Sequence, residues 1–140
     1  MTVMPEPQWW TSLLDISPEL AAEDVQSQAR WRRLASHQEE EQPLTIRLGD
    51  LGQAFVTNFA SISPDQRRRI LSILEDVQAS GSEQEGTAVA TGFFEAVLGA
   101  WDEGFDLRAI WEDMGLESRT YCISLNEFHG VKTPDWMNRK

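Results

Sequence analysis

Residues 63–81 read Ser-Pro-Asp-Gln-Arg-Arg-Arg-Ile-Leu-Ser-Ile-Leu-Glu-Asp-Val-Gln-Ala-Ser-Gly, and this stretch decides the fold class. Ser63 is a favoured N-cap residue. Pro64 has its φ already set for a first helical turn, and Gln66 stands three after the serine, within reach of the cap backbone. Ile70, Leu71, Ile73, Leu74 and Val77 then recur at helical spacing as one wide apolar stripe, and Gly81 offers a left-handed stop. The spacing predicts an amphipathic helix with that stripe turned to a core.

The same grammar repeats on both sides. Ser82-Glu83-Gln84-Glu85 caps a following helix, with acids at its positive end. Its expected buried face is Val89, Phe93, Ala96, Val97, Ala100 and Trp101, and Gly92, Ala96 and Gly99 admit a close helical neighbour. Asp106 is expected to cap a short helix of Leu107, Ile110, Trp111 and Met114 that Gly115 ends. Tyr121, Leu125 and Phe128 form a last stripe. Upstream, Leu48, Leu51, Phe55, Val56, Phe59 and Ile62 keep helical spacing, although Gly49 and Gly52 cost roughly 1 kcal/mol each against Ala. Ser17-Pro18-Glu19 opens a helix to about Ser36, followed by a polar break at 39–43. Only Leu44-Thr45-Ile46-Arg47-Leu48 alternates weakly, as a strand would. The expected fold is all-α: a compact bundle of five to seven helices with short loops, or stacked helical pairs. It forms one domain over 1–140, with 1–7 and 131–140 less ordered.

Composition narrows the function. A chain of 140 residues is long enough to bury a core without staples. The single cysteine, Cys122, excludes an internal disulfide and any Cys-rich zinc site. The longest apolar run, Ala88 to Trp101, is interrupted by Thr91 and Glu95 and is too short for a bilayer. With no leader-like start, a cytoplasmic protein is expected. The formal charge is −11, and residues 75–117 hold 11 acids against one base, Arg108. Such a field repels nucleic acid and anionic membrane and attracts cationic surfaces. Neither is an expected partner.

No constellation for chemistry is apparent. Cys122 and His129 stand seven apart on one helix face, about 10 Å at 1.5 Å per residue, too far to form a nucleophile–base pair. Glu127 and His129 lack the Glu-x-x-His spacing of di-metal helices. Asp102 to Asp106 fails as a calcium loop, because Gly104 falls where an oxygen ligand is needed and Leu107 where glycine is required. Phosphate-cradling glycine motifs and nucleophile elbows are absent from the sequence. No catalytic, cofactor or metal residues are expected, and the protein is read as a non-enzyme. The basic clusters Arg30-Trp31-Arg32-Arg33 and Arg67-Arg68-Arg69 fan around their helices and are expected to pair with acids.

What remains is acids interleaved with aromatics: Trp101, Asp102, Glu103, Phe105, Asp106, Trp111, Glu112 and Asp113. These are the candidate partner-binding residues, since aromatic anchors ringed by charge build tight interfaces. The alternative is that Trp101, Phe105 and Trp111 point into the core and leave only an acidic rim.

From Ile70 to Ser118 the chain carries Ile-Leu-Glu-Asp, Ser-Gly-Ser, Thr-Gly-Phe-Phe-Glu-Ala-Val-Leu and Met-Gly-Leu-Glu-Ser. This pattern resembles an uncharacterised family of small acidic all-α bacterial proteins of the toxin-immunity type. The resemblance implies an immunity-type inhibitor that neutralises a cognate toxin; it assigns no site residues. A toxin with a basic surface, such as a nuclease that holds phosphate with Lys and Arg, suits an acidic face. The alternative is a non-catalytic helical adaptor or structural interaction module.

Overall fold

The computed structural model describes residues 6–34 and 40–138, and among these every regular element is helical. The order is α1 (Gln8–Ile16), α2 (Pro18–Arg33), α3 (Leu44–Thr57) and α4 (Pro64–Ser80). Then α5 (Glu83–Ala88), a π-helical stretch (Val89–Phe94) and α6 (Glu95–Asp102) run on as one unbroken rod. The short α7 (Arg108–Trp111) and α8 (Leu116–Phe128) follow. With the rod counted once, the described residues form seven helices, within the expected number.

The capping box at Ser63 is complete. Ser63 Oγ accepts from the Gln66 N–H at 3.2 Å, and Gln66 Oε1 accepts from the Ser63 N–H at 2.8 Å. Gln66 Nε2 also donates to the Ile16 carbonyl at 2.9 Å, so the same side chain fixes α4 to the end of α1. Ser17 and Ser82 cap α2 and α5 through their hydroxyls.

The rod is the spine of the core. Five of the six π-helical residues are buried, and α3 crosses directly over them. Glycine makes that crossing possible. A Cβ on Gly52 would lie 2.7 Å from the Phe93 carbonyl oxygen, and one on Gly92 2.5 Å from that of Thr45. Gly52, one of the two glycines that weaken α3 as an isolated helix, is therefore what lets it seat on the rod, whereas a Cβ on Gly49 would make only ordinary contact, 3.8 Å from the Gly92 carbonyl oxygen. Gly99 meets nothing within 4 Å, so only part of the small-residue stripe is used. Around this crossing pack Leu48, Leu51, Phe55, Phe93, Phe94 and Val97, all fully buried.

The structure departs from the sequence reading at several points. Residues 44–48 open α3 and are not a strand, because Leu48 joins the buried face that Leu51 and Phe55 continue. A further helix, α1, starts after Pro7 without a side-chain cap and buries Trp10, Leu13 and Ile16. Gly81 ends α4 with φ −80°, extended rather than left-handed. The helix expected over 106–115 shrinks to Arg108–Trp111, flanked by turns. In α8 the buried face is Ser118, Cys122 and Asn126, while Phe128 is 84% exposed. Of the termini expected to be less ordered, 1–5 and 139–140 lie outside the described residues, as do Ser36, His37 and Glu39. Asp135–Asn138 forms a 3-10 turn that buries Met137.

Candidate functional site

The acid–aromatic cluster sits where the rod ends and the chain turns into α7. Three backbone hydrogen bonds hold the corner: Glu103 N–H and Phe105 N–H donate to the Ala100 carbonyl, and Gly104 N–H to that of Trp101. Gly104 has φ +114°, a region that costs a side-chain-bearing residue strain, so glycine is what allows the reversal there.

Its aromatics face inward. Trp111 is 2% exposed and stands edge-on to Trp136 with centroids 5.5 Å apart; Trp101 meets the same ring at 6.0 Å. Phe105 stands edge-on to Phe59 at 5.2 Å. Trp101 and Phe105 are half-buried and packed against the core. Trp111, as the most buried of the three, offers almost no side-chain surface in this conformation. Arg119 also covers it, with its guanidinium 5.5 Å from the indole and its Nε donating to the Trp111 carbonyl at 3.0 Å. The Asp106 side chain does not cap α7; Leu107 occupies the N-cap position and no side-chain cap bond forms. Only the Asp106 carbonyl is used, accepting from the Ala109 N–H.

The acids point the other way. Asp102, Glu103, Asp106 and Glu112 are exposed and Asp113 half-exposed. Among the described residues none of the five has a cation within ion-pair distance. Their placement runs against helix electrostatics. Asp102 is the last residue of α6, Glu103 its C-cap, and Glu112 the C-cap of α7. The C-terminal end of a helix already carries a partial negative charge, and acids there are destabilising.

Nearby, the Tyr121 hydroxyl lies 3.4 Å from Glu95 Oε2. Burial and the Glu95 charge push its pKa up to about 12. Cys122 is fully buried, and that burial pushes its thiol up to about 12, out of the nucleophilic range. Among the described residues no group of three or more His, Cys, Asp and Glu side chains is arranged to hold a metal ion. None of the helices there is long and apolar enough to cross a membrane.

Two polar arrangements escape a reading by sequence. The first joins α2 to α3. Arg47 forks onto Asp24 with Nε to Oδ1 at 3.0 Å and Nη2 to Oδ2 at 2.7 Å, reaches Glu6 at 3.2 Å, and lies 4.6 Å over the Trp10 ring. Burial alone would lower the Arg47 guanidinium, but Asp24 and Glu6 more than offset it and leave its pKa raised. The second is Glu75, whose carboxylate accepts from the Glu117 N–H, the Ser118 N–H and the Ser118 hydroxyl at 2.8, 3.0 and 2.8 Å. It caps α8 from another helix. No local motif signals either, because the partners lie 23 and 43 residues apart.

Comparison of the chain with protein-family models, with curated proteins and with solved structures finds no match.

Proposed function

We propose that this protein is an immunity-type inhibitor, a cytoplasmic, non-catalytic binder that neutralises a bacterial toxin with a basic surface. A nuclease is the toxin class whose chemistry fits best. The observation that carries this reading is the hydrogen-bonded corner bearing Asp102, Glu103, Asp106, Glu112 and Asp113 without a cation among the described residues, three of them at helix C-termini. A protein that sets unpaired acids at the negative ends of its helices gives up stability in the free state, and breaches of local rules concentrate at functional sites. A cationic partner supplies the missing countercharge. Phosphate-binding Lys and Arg of a nuclease are such a countercharge, and covering them excludes substrate. The resemblance over 70–118 points the same way.

The test is neutralisation. A protein captured from the native host should arrest growth when expressed alone, and co-expression of this chain should restore growth. Reversing Glu103 and Asp113 to Lys should abolish the rescue, with an affinity loss of several kcal/mol, from lost pairing plus like-charge repulsion. Rescue by a folded double variant would move the interface off this corner. The adaptor reading has its own support, since Leu116 and Phe128 are 74% and 84% exposed. Association that slows steeply with salt favours the acidic corner; a salt-independent rate favours the adaptor.

A further inference from the structure

We infer that the groove between α1 and α4 binds a phosphate monoester, presented as a phosphorylated side chain of a protein partner. This site goes beyond the acidic corner and shares no residue with it.

The three consecutive arginines of α4 have separate roles. Arg67 turns inward, donating to the Ile62 and Phe59 carbonyls at 2.9 and 3.0 Å, with its guanidinium 3.7 Å from the Phe59 ring centre. Arg68 and Arg69 instead line an open groove of about 480 Å3, together with Ser12, Ile16, Ser72 and Ile73. Helical spacing explains the grouping. Arg68 with Ser72, Arg69 with Ile73, and Ser12 with Ile16 are i, i+4 neighbours on their helices. Two helices thus bring cations and hydroxyls over a floor of two isoleucines.

In a chain with 23 acids, no carboxylate among the described residues lines this groove. Among the described residues Arg68 reaches only Asp65, at 4.0 Å, with both side chains largely exposed. Arg69 makes no ion pair or hydrogen bond among the described residues. The number of donors selects the ligand class. Two guanidinium forks offer about ten N–H donors, and two hydroxyls add to them, more than the roughly four acceptor sites of a carboxylate can use. A phosphoryl group brings three strong acceptor oxygens against a carboxylate's two, and about −1.5 to −2 charge against −1. The groove is too open to enclose a free small molecule, which is typically about 70–90% buried in its site. A side chain carried on a larger partner brings its own cover. The field of the whole protein opposes an extended polyanion along its length, but a single phosphate seated on two arginines is reached inside the screening length of about 8 Å.

The full chain titrated with a capped phosphotyrosine amide, followed through its amide NMR shifts, tests this. Saturable shifts are expected at Ser12, Arg69 and Ser72. Binding should weaken at least about tenfold in Arg68→Gln/Arg69→Gln, the equivalent of losing one charge-assisted hydrogen bond. Both positions are exposed, so the variant should keep its melting temperature. Ser72→Ala, which favours the helix, should weaken binding several-fold alone and serves if the double variant does not fold. No saturable shift, or shifts that survive in the folded double variant, overturns the proposal. Equal binding of a capped tyrosine or capped glutamate amide overturns the phosphate assignment. Tighter binding of a single-stranded oligonucleotide gives the groove to nucleic acid and also overturns it.

Discussion

Replacing Glu75 by alanine should destabilise the protein by about 2–5 kcal/mol, although Glu75 is half-buried and lies in the most acidic part of the chain. The N-cap position of α8 is Gly115, which has no side chain to offer, so the Glu75 carboxylate does the capping. Losing a helix cap costs about 1 kcal/mol, and losing an anion beside the positive helix end a further 0.3–1 kcal/mol or so. The Ser118 hydroxyl, in a fully buried residue, would keep its bond from Gln78 Nε2 at 2.7 Å but lose its acceptor. An unsatisfied buried donor costs about 1–3 kcal/mol. Relief of repulsion from the adjacent Asp76 returns no more than a few tenths of a kcal/mol, because exposed charges are well screened. Urea denaturation with an unchanged m-value reads the difference as a shift in midpoint. A double-mutant cycle with Ser118→Ala should give a coupling of at least about 0.5 kcal/mol, since the two share a hydrogen bond. A cost below about 0.5 kcal/mol for Glu75→Ala, or strict additivity with Ser118→Ala, would show that α8 is held by its apolar face alone.

Leu74→Ala should cost about 2–5 kcal/mol in the same denaturation experiment, because Leu74 is fully buried between α4 and the core; a loss under about 0.5 kcal/mol would contradict that register. Glu103→Lys should raise the stability of the free protein by about 0.3–1 kcal/mol by placing a cation at the C-terminal end of α6, while weakening its binding to a basic partner; a drop in both would remove the argument from misplaced charge. Tyr121, the only tyrosine, should ionise near pH 12 in an absorbance titration, and Glu95→Gln should bring that midpoint down. The folded protein holds this proton more tightly than the unfolded chain, so stability should be lost as pH climbs from about 10 to about 12. Ionisation at the ordinary value would place the phenol in solvent.

Local chemistry was legible in the sequence wherever the information was local. Ser17, Ser63 and Ser82 each cap the helix their spacing announces, and the stripe of Ile70, Leu71, Leu74 and Val77 is the buried face of α4. These features need only residues within a turn or two of each other, and their geometry follows from 3.6 residues per turn. The all-α class and the acidic stretch follow from the same kind of reading. So does the position of the corner at 102–106, with Gly104 at its turn.

What only the tertiary structure decided is which groups meet across helices. Gly52 reads as a weak point until α3 lies on the π-helical stretch, where a Cβ at 52 would collide with the Phe93 carbonyl. Trp101 and Trp111 read as anchors or as core, because helical periodicity does not say which neighbour a face will find; Trp136, far along the chain, packs edge-on against both. The carboxylates at 75 and 102 carry the same charge in the sequence, yet one is consumed in capping α8 and the other, at the end of α6, has no ion-pair partner among the described residues. Adjacent arginines diverge in the same way, Arg67 to carbonyls and an aromatic ring, Arg69 to an open groove. Side-chain type and spacing set what a residue can do; the neighbours that packing brings from distant segments settle what it does, because hydrogen bonds and ion pairs form only at contact distance.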